Sequence, residues 1–173
     1  IEKQEAADLF DKALYWNLKN KKTEEVKVIN DRTYDTPKNA INEQFFPPCV
    51  KLILKGVKTD GRKRALFILL NFLKKTGYNY DQIQDVILNW NKKNYEPLRE
   101  NYVISQLNWH KKQDKSILPQ NCPKRENNIP IIPQDNLYTD LSFCKPDDFC
   151  KVIKNPVNYA IKKQRLFGKK NQN

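Results

Sequence analysis

Apolar side chains recur at helical spacing over residues 2–19, where Ala6, Leu9, Phe10, Ala13 and Leu14 share a face and charges fill many other positions. Glu24 to Val28 reads as a short extension or turn, and Thr33 to Asn39 as a loop punctuated by Pro37. The next unit starts at Phe45-Phe46-Pro47-Pro48-Cys49. Paired prolines enforce an extended entry and are tolerated in the first turn of a helix. Val50, Leu52, Ile53 and Leu54 then predict a short apolar helix up to Gly56. Asp60 is a candidate cap for a helix beginning near Arg62. From Ala65 to Leu73 that helix is apolar nearly all round, which places it in the middle of a core. Gly77 suits the position just past its end.

A further helix starts at Asn79 or Asp81, with Ile83, Val86, Ile87 and Trp90 as its buried stripe. Another runs from about Arg99 to Lys112, with Val103, Leu107 and His110 on one face and Tyr102 and Trp109 flanking it. Trp90 and Trp109 are expected in the core, where large aromatics usually go. From Gln113 to Cys150 the periodicity vanishes, broken by Pro119, Pro123, Pro130, Pro133 and Pro146. An irregular stretch of this length inside a compact domain needs something to tie it down. Tyr159 to Phe167 predicts a short basic helix, and Gly168 opens a tail.

The chain's 173 residues fit one domain of ordinary size. It contains no Met and begins with Ile1, as expected of a piece of a longer chain or a processed one. No apolar run approaches the roughly 20 residues that cross a bilayer, and no signal peptide is visible, so no membrane partner is expected. The formal charge of +12 changes the picture more. Residues 51–75 carry eight basic residues against Asp60 alone, and residues 151–173 carry seven against none. Clustered positive charge favours a polyanion, nucleic acid first. The lysines at the end of the central helix suit its dipole, but Arg62, Lys63 and Arg64 at its start oppose it. A bound anion there would relieve the conflict.

Four cysteines without a secretory signal argue against a disulfide framework and leave metal ligation or buried thiols. They stand at 49, 122, 144 and 150, without the tight pairs of compact zinc fingers. A tetrahedral zinc site and an iron–sulfur cluster both remain open on spacing, and the proline-rich context favours a metal of some kind. The lone histidine, His110, is expected to be structural or to meet a phosphate. Asp147 and Asp148 look like turn or capping residues. There is no glycine-rich phosphate loop and no Asp-x-Asp pair for two-metal phosphoryl transfer, so binding is better supported than catalysis.

Several contexts together carry a resemblance: Phe46-Pro47-Pro48-Cys49-Val50, the apolar helix with basic ends closing on Gly77, Leu118-Pro119-Gln120-Asn121-Cys122, and Cys144 with Cys150 followed by Lys151, Lys154-Asn155-Pro156 and Tyr159. Over residues 45–162 the chain resembles the C-terminal domain of the archaeal and eukaryotic DNA primase large subunit, with the archaeal pattern the better fit. The resemblance implies an all-α domain with a long irregular cysteine-ligated segment around a metal cluster, spanning 45–173 and preceded by a helix and linker over 1–44. It implies one [4Fe–4S] cluster on Cys49, Cys122, Cys144 and Cys150. It implies no active site here, since the polymerase site lies in the catalytic small primase subunit. The domain would hold template single-stranded DNA and the 5′-triphosphate of the initiating nucleotide, at a cytoplasmic, nucleoid or nuclear replication site. Positions matching the triphosphate contacts are Arg62, Lys63, Arg64 and Lys74, and Lys111, Lys112, Lys151, Lys154 and Tyr159 are the candidates for nucleic acid. The family's Lys-His-Pro is Lys154-Asn155-Pro156 here, which puts any role of that histidine in doubt. A zinc-stabilised nucleic-acid-binding module is one alternative. A structural adaptor docking a partner protein through its N-terminal helix is another.

Overall fold

The computed structural model describes residues 3–20, 36–113, 117–123, 125–126, 129–130 and 136–168. Two compact units divide the chain between Asp35 and Thr36. The first contains α1 (Lys3–Asn20), whose Leu9, Phe10 and Trp16 are 65–69% exposed. The turn expected at 24–28 and the start of the loop expected at 33–39 lie outside the described residues.

The second unit is all-α, as expected. Its helices are α2 (Pro48–Leu54), α3 (Arg62–Lys75), α4 (Tyr80–Lys92), α5 (Glu100–Lys112), α6 (Leu137–Asp140) and α7 (Pro156–Phe167). Short 3₁₀ turns lie at Glu43–Phe45 and Asp148–Val152. Among the described residues, extended pairing is confined to Arg125–Glu126 against Ile129–Pro130. Four-residue α6 escaped the periodicity because it is barely one turn long.

Central α3 buries Ala65, Leu66, Ile68, Leu69, Leu70, Phe72 and Leu73, and packs against α2, α4 and α7. Fully burying each Leu, Ile or Phe contributes about 1.5–3 kcal/mol. Buried Asn71 satisfies its amide on Phe67 O at 2.8 Å. The helix starts at Arg62, but its cap is Gly61 at φ +106°, with no side-chain cap bond, and not Asp60. A left-handed residue there turns the chain sharply into the helix, a geometry that favours glycine.

The far end of α3 draws in residues ahead of α2. Ile41 is fully buried, its N–H donates to Thr76 O at 2.9 Å, and its carbonyl accepts from the Tyr78 hydroxyl at 3.0 Å. The Phe46 ring meets Phe72 edge-on at 4.8 Å. The compact unit therefore begins at Thr36, nine residues ahead of the expected 45.

Asn79 and Gln82 form a reciprocal capping box on α4, with bonds of 2.9 and 3.0 Å. Trp90 is fully buried and donates from Nε1 to Ile53 O at 2.8 Å. Helix α5 buries Val103, Leu107 and His110. Trp109 departs from expectation and is 47% exposed. One residue before His110, it lies about 100° around the helix from that stripe.

Gly77 adopts φ +87°, and a Cβ there would stand 2.7 Å from the carbonyl oxygens of both Asn39 and Pro37. Gly77→Ala should therefore cost at least about 2 kcal/mol, combining left-handed strain with overpacking. Urea unfolding followed by circular dichroism measures this, and an unchanged midpoint would contradict the packing of residues 36–41 on α3.

Candidate metal centre

Cys49, Cys122, Cys144 and Cys150 line one small cavity, walled also by Tyr138 and Tyr159. No disulfide joins them. Each sulfur comes from a different place. Cys49 sits in the first turn of α2, fixed by extended Pro47 and by Pro48 at the helix start. The Cys122 N–H donates to Lys154 O at 2.8 Å. The Cys144 N–H donates to Tyr138 O at 2.9 Å, as does that of Phe143 at 2.8 Å. Cys150 lies in the 3₁₀ turn capped by Asp147, as expected of that aspartate, whose Oδ1 accepts the Cys150 N–H at 3.0 Å.

The electrostatics of the cavity are unfavourable for bare thiolates. Burial pushes the Cys49 thiol well above its ordinary value, and Cys122, Cys150 and Cys144 push it further. Tyr138 is raised by burial first and then by Cys49, Cys122 and Cys144. Burial and the neighbouring sulfurs both disfavour the Cys49 thiolate, and a bound cation would reverse that preference. Among the described residues, no three His, Cys, Asp or Glu side chains group tightly enough to hold a single metal ion. The thiols ring the cavity instead.

An asparagine lattice holds the cysteine-bearing segments together, and sequence reasoning did not find it. Asn155 is 2% exposed. Its Oδ1 caps α7 at Val157 N, 3.0 Å, while Nδ2 donates to Pro119 O at 2.9 Å and Asn121 Oδ1 at 3.0 Å. Asn136 caps α6 and donates to Asn121 O at 3.0 Å. Gln120 accepts at Oε1 from Leu137 N and at its carbonyl from the Tyr138 hydroxyl, 2.9 and 3.2 Å. Asn followed by Pro at a helix start was the available signal.

The expected anion-binding residues are not gathered in one place. Arg62 donates to the Glu96 carboxylate at 2.7 Å and to its carbonyl at 2.6 Å. Arg64 stands 3.9 Å from Asp140, and Lys63 lies over the Tyr102 ring at 5.2 Å. Acidic neighbours thus meet part of the conflict between these cations and the α3 dipole. Lys74 is about 18 Å away along the helix. It donates to the carbonyls of His110 and Gln113 at 3.1 and 3.2 Å. His110 does not line the cysteine cavity. Burial first, then Lys74, lower its pKa, and among the described residues its buried Nε2 has no hydrogen-bond partner.

Lys111 and Lys112 are exposed at the end of α5, with Lys111 over the Tyr80 ring at 5.8 Å. Lys151 pairs with Asp148 at 2.8 Å, and Lys154 is exposed. Tyr159 is 1% exposed, so it belongs to the cavity wall and not to an outer nucleic-acid surface. The spacing of Tyr159 from Asn155 on the first turn of α7 turns it inward. A groove the sequence did not point to opens where the α2–α3 connection meets the chain after α6. Lys55, Lys58 and Lys145 rim it over Leu52, Leu141 and Phe143. Leu141 also abuts Gly61, the α3 cap.

Residues 39–168 match the family described as the C-terminal domain of the eukaryotic and archaeal DNA primase large subunit. The chain is 31% identical to the DNA primase large subunit PriL of Thermococcus kodakarensis, over 74% of its own length and 38% of that protein's. It is 25% identical to the protein of the same name from Pyrococcus horikoshii and 26% to that of Pyrococcus abyssi, each over 76% of this chain and 40% of the relative. It thus spans well under half the length of these relatives. No solved structure matches it at a comparable level.

Asn155→Asp keeps the capping acceptor but loses the donor to Pro119 and Asn121, whereas Asn155→Ala loses both. Alanine should cost about 2–3 kcal/mol and aspartate about half of that, by urea unfolding. Equal costs would show that the lattice, and not the cap, carries the whole effect.

Proposed function

The chain belongs to the family formed by the C-terminal domains of DNA primase large subunits, and from that premise we propose that it is a cluster-bearing initiation domain. It holds a [4Fe–4S] cluster on Cys49, Cys122, Cys144 and Cys150 and positions template DNA and the initiating nucleotide for a catalytic primase subunit. The observation that carries this reading is the convergence of all four thiols on one cavity. Sulfurs spread around a cavity suit a polynuclear cluster, in which each iron takes one thiolate. A single zinc ion needs four ligands within bonding distance of one point. When bound, the cluster supplies iron–thiolate bonds that join the first turn of α2 to three separate points of the irregular segment.

The residues of the chain do the rest. The groove rimmed by Lys55, Lys58 and Lys145 offers three cations beside the start of α3, where Arg62, Lys63 and Arg64 add further charge. Its apolar floor of Leu52, Leu141 and Phe143 suits the base or sugar of the same nucleotide. Lys111, Lys112, Lys151 and Lys154 can neutralise template phosphates, so affinity should fall steeply with salt. Holding two nucleotides in register turns an improbable encounter into an intramolecular one. No polymerase chemistry is assigned to the domain.

Anaerobically purified protein should be brown and contain iron with acid-labile sulfide. Colourless protein carrying one zinc would sink the cluster and leave a zinc-stabilised binding module. Lys58→Ala with Lys145→Ala should weaken a 5′-triphosphorylated primer–template about tenfold more than its 5′-hydroxyl counterpart, the scale of a charge-assisted contact. Equal losses would reduce the groove to a nonspecific basic surface.

A further inference from the structure

Tyr159 lines the cysteine cavity, and its hydroxyl belongs to a polar chain. That hydroxyl donates to Asp147 Oδ2 at 2.5 Å and accepts from Lys163 Nζ at 2.6 Å. Lys163 Nζ is itself 3.9 Å from the same carboxylate oxygen. The other oxygen of Asp147 takes the N–H of Cys150 at 3.0 Å. One carboxylate therefore ties two residues of α7 to the backbone of a cysteine on a separate loop.

The loop needs such a tie. The turn Asp148–Val152 has only five residues, Val152 is 68% exposed, and Lys151 is exposed beside it. A turn so short has little stability of its own. Inward contacts come from Ile153, which is 6% exposed, and from Phe149, whose ring meets Tyr159 edge-on at 5.0 Å. The Phe149 contact therefore depends on where Tyr159 is held. Short, exposed segments with few apolar contacts open first.

We propose that Asp147, Tyr159 and Lys163 are positioning residues that clamp the Cys150 turn shut over the thiol-lined cavity. The clamp sets how readily solvent and small reagents reach Cys150 and the group the four thiols hold. Only the identity of that group rests on the cluster reading. The clamp itself stands on the geometry of α7 and the turn.

Tyr159→Phe keeps the ring and removes the hydroxyl. Lys163→Gln removes the cation at the outer end. Lys151→Ala, on the same turn but outside the chain of bonds, is the control. In the reduced, metal-free full chain, iodoacetamide labelling of each cysteine is followed by peptide mass. Tyr159→Phe should speed labelling of Cys150 about tenfold and leave Cys49 unchanged, the scale of one lost charge-assisted bond. Lys163→Gln should act in the same direction, and Lys151→Ala should not. In the anaerobically loaded chain, visible absorbance should bleach in air faster for Tyr159→Phe by a similar factor. Unchanged labelling and bleaching, or equal acceleration at all four cysteines, would overturn the clamp. Anaerobically purified wild-type protein without iron, together with Cys150 labelling that still quickens in Tyr159→Phe, would support the clamp and sink the cluster reading instead.

Discussion

Four sulfurs line one cavity, and the C-terminal half of the domain brings three of them there. One comes from the helical half, in the first turn of α2, and three from the segment that lacks regular periodicity. The segment also gives Tyr138 and Phe143 to the apolar core around α3. The cavity is where the two halves meet. Burial and the neighbouring sulfurs make the Cys49 thiolate unfavourable there, a penalty that a bound cation would offset.

Apart from the short pairing of Arg125–Glu126 with Ile129–Pro130, side-chain bonds hold much of the described irregular segment. Asn155, Asn136 and Gln120 each join backbone that is distant in sequence, Asn155 donates across 36 residues to Pro119, and the Asn121 side chain accepts from Asn155. Amide side chains suit this work because each offers donors and an acceptor together. Asp147 has a different task. Burial raises its pKa, but bonds from Tyr159 and from the Cys150 N–H, with Lys163 nearby, outweigh it and leave the pKa lowered. A lowered carboxylate stabilises the fold above its unfolded range, and that contribution is lost as pH falls through the lowered value. Burial, then Asp147, raise Tyr159, so its hydroxyl stays protonated and remains a donor.

The cations at the start of α3 are partly matched by carboxylates from other elements. Arg62 and Arg64 have carboxylates near them, which satisfies part of what an anion would offer. Those ion pairs are partly exposed and contribute little each, so an incoming phosphate could compete with them. The lysines around the neighbouring groove are exposed. Spread over the α2–α3 connection and the chain after α6, they come together only once both pieces are folded.

The helices were legible in the sequence because each carries its own periodicity or punctuation: the all-round apolar run of α3, the Asn79 box of α4, the double proline before α2, the glycine after α3. The set of cysteine contexts was legible as a resemblance, since order and flanking residues survive where spacing is uninformative. Tertiary structure decided what depends on distant partners. It placed Gly61 and not Asp60 at the start of α3, left Trp109 at the surface, and buried Ile41 against the end of α3. It also turned Tyr159 from an expected surface contact into cavity wall, and it assembled the lysine groove. A local pattern records which face of an element is apolar. Which loop meets which helix, and where an amide or a carboxylate finds its partner, is fixed only when segments dozens of residues apart pack together.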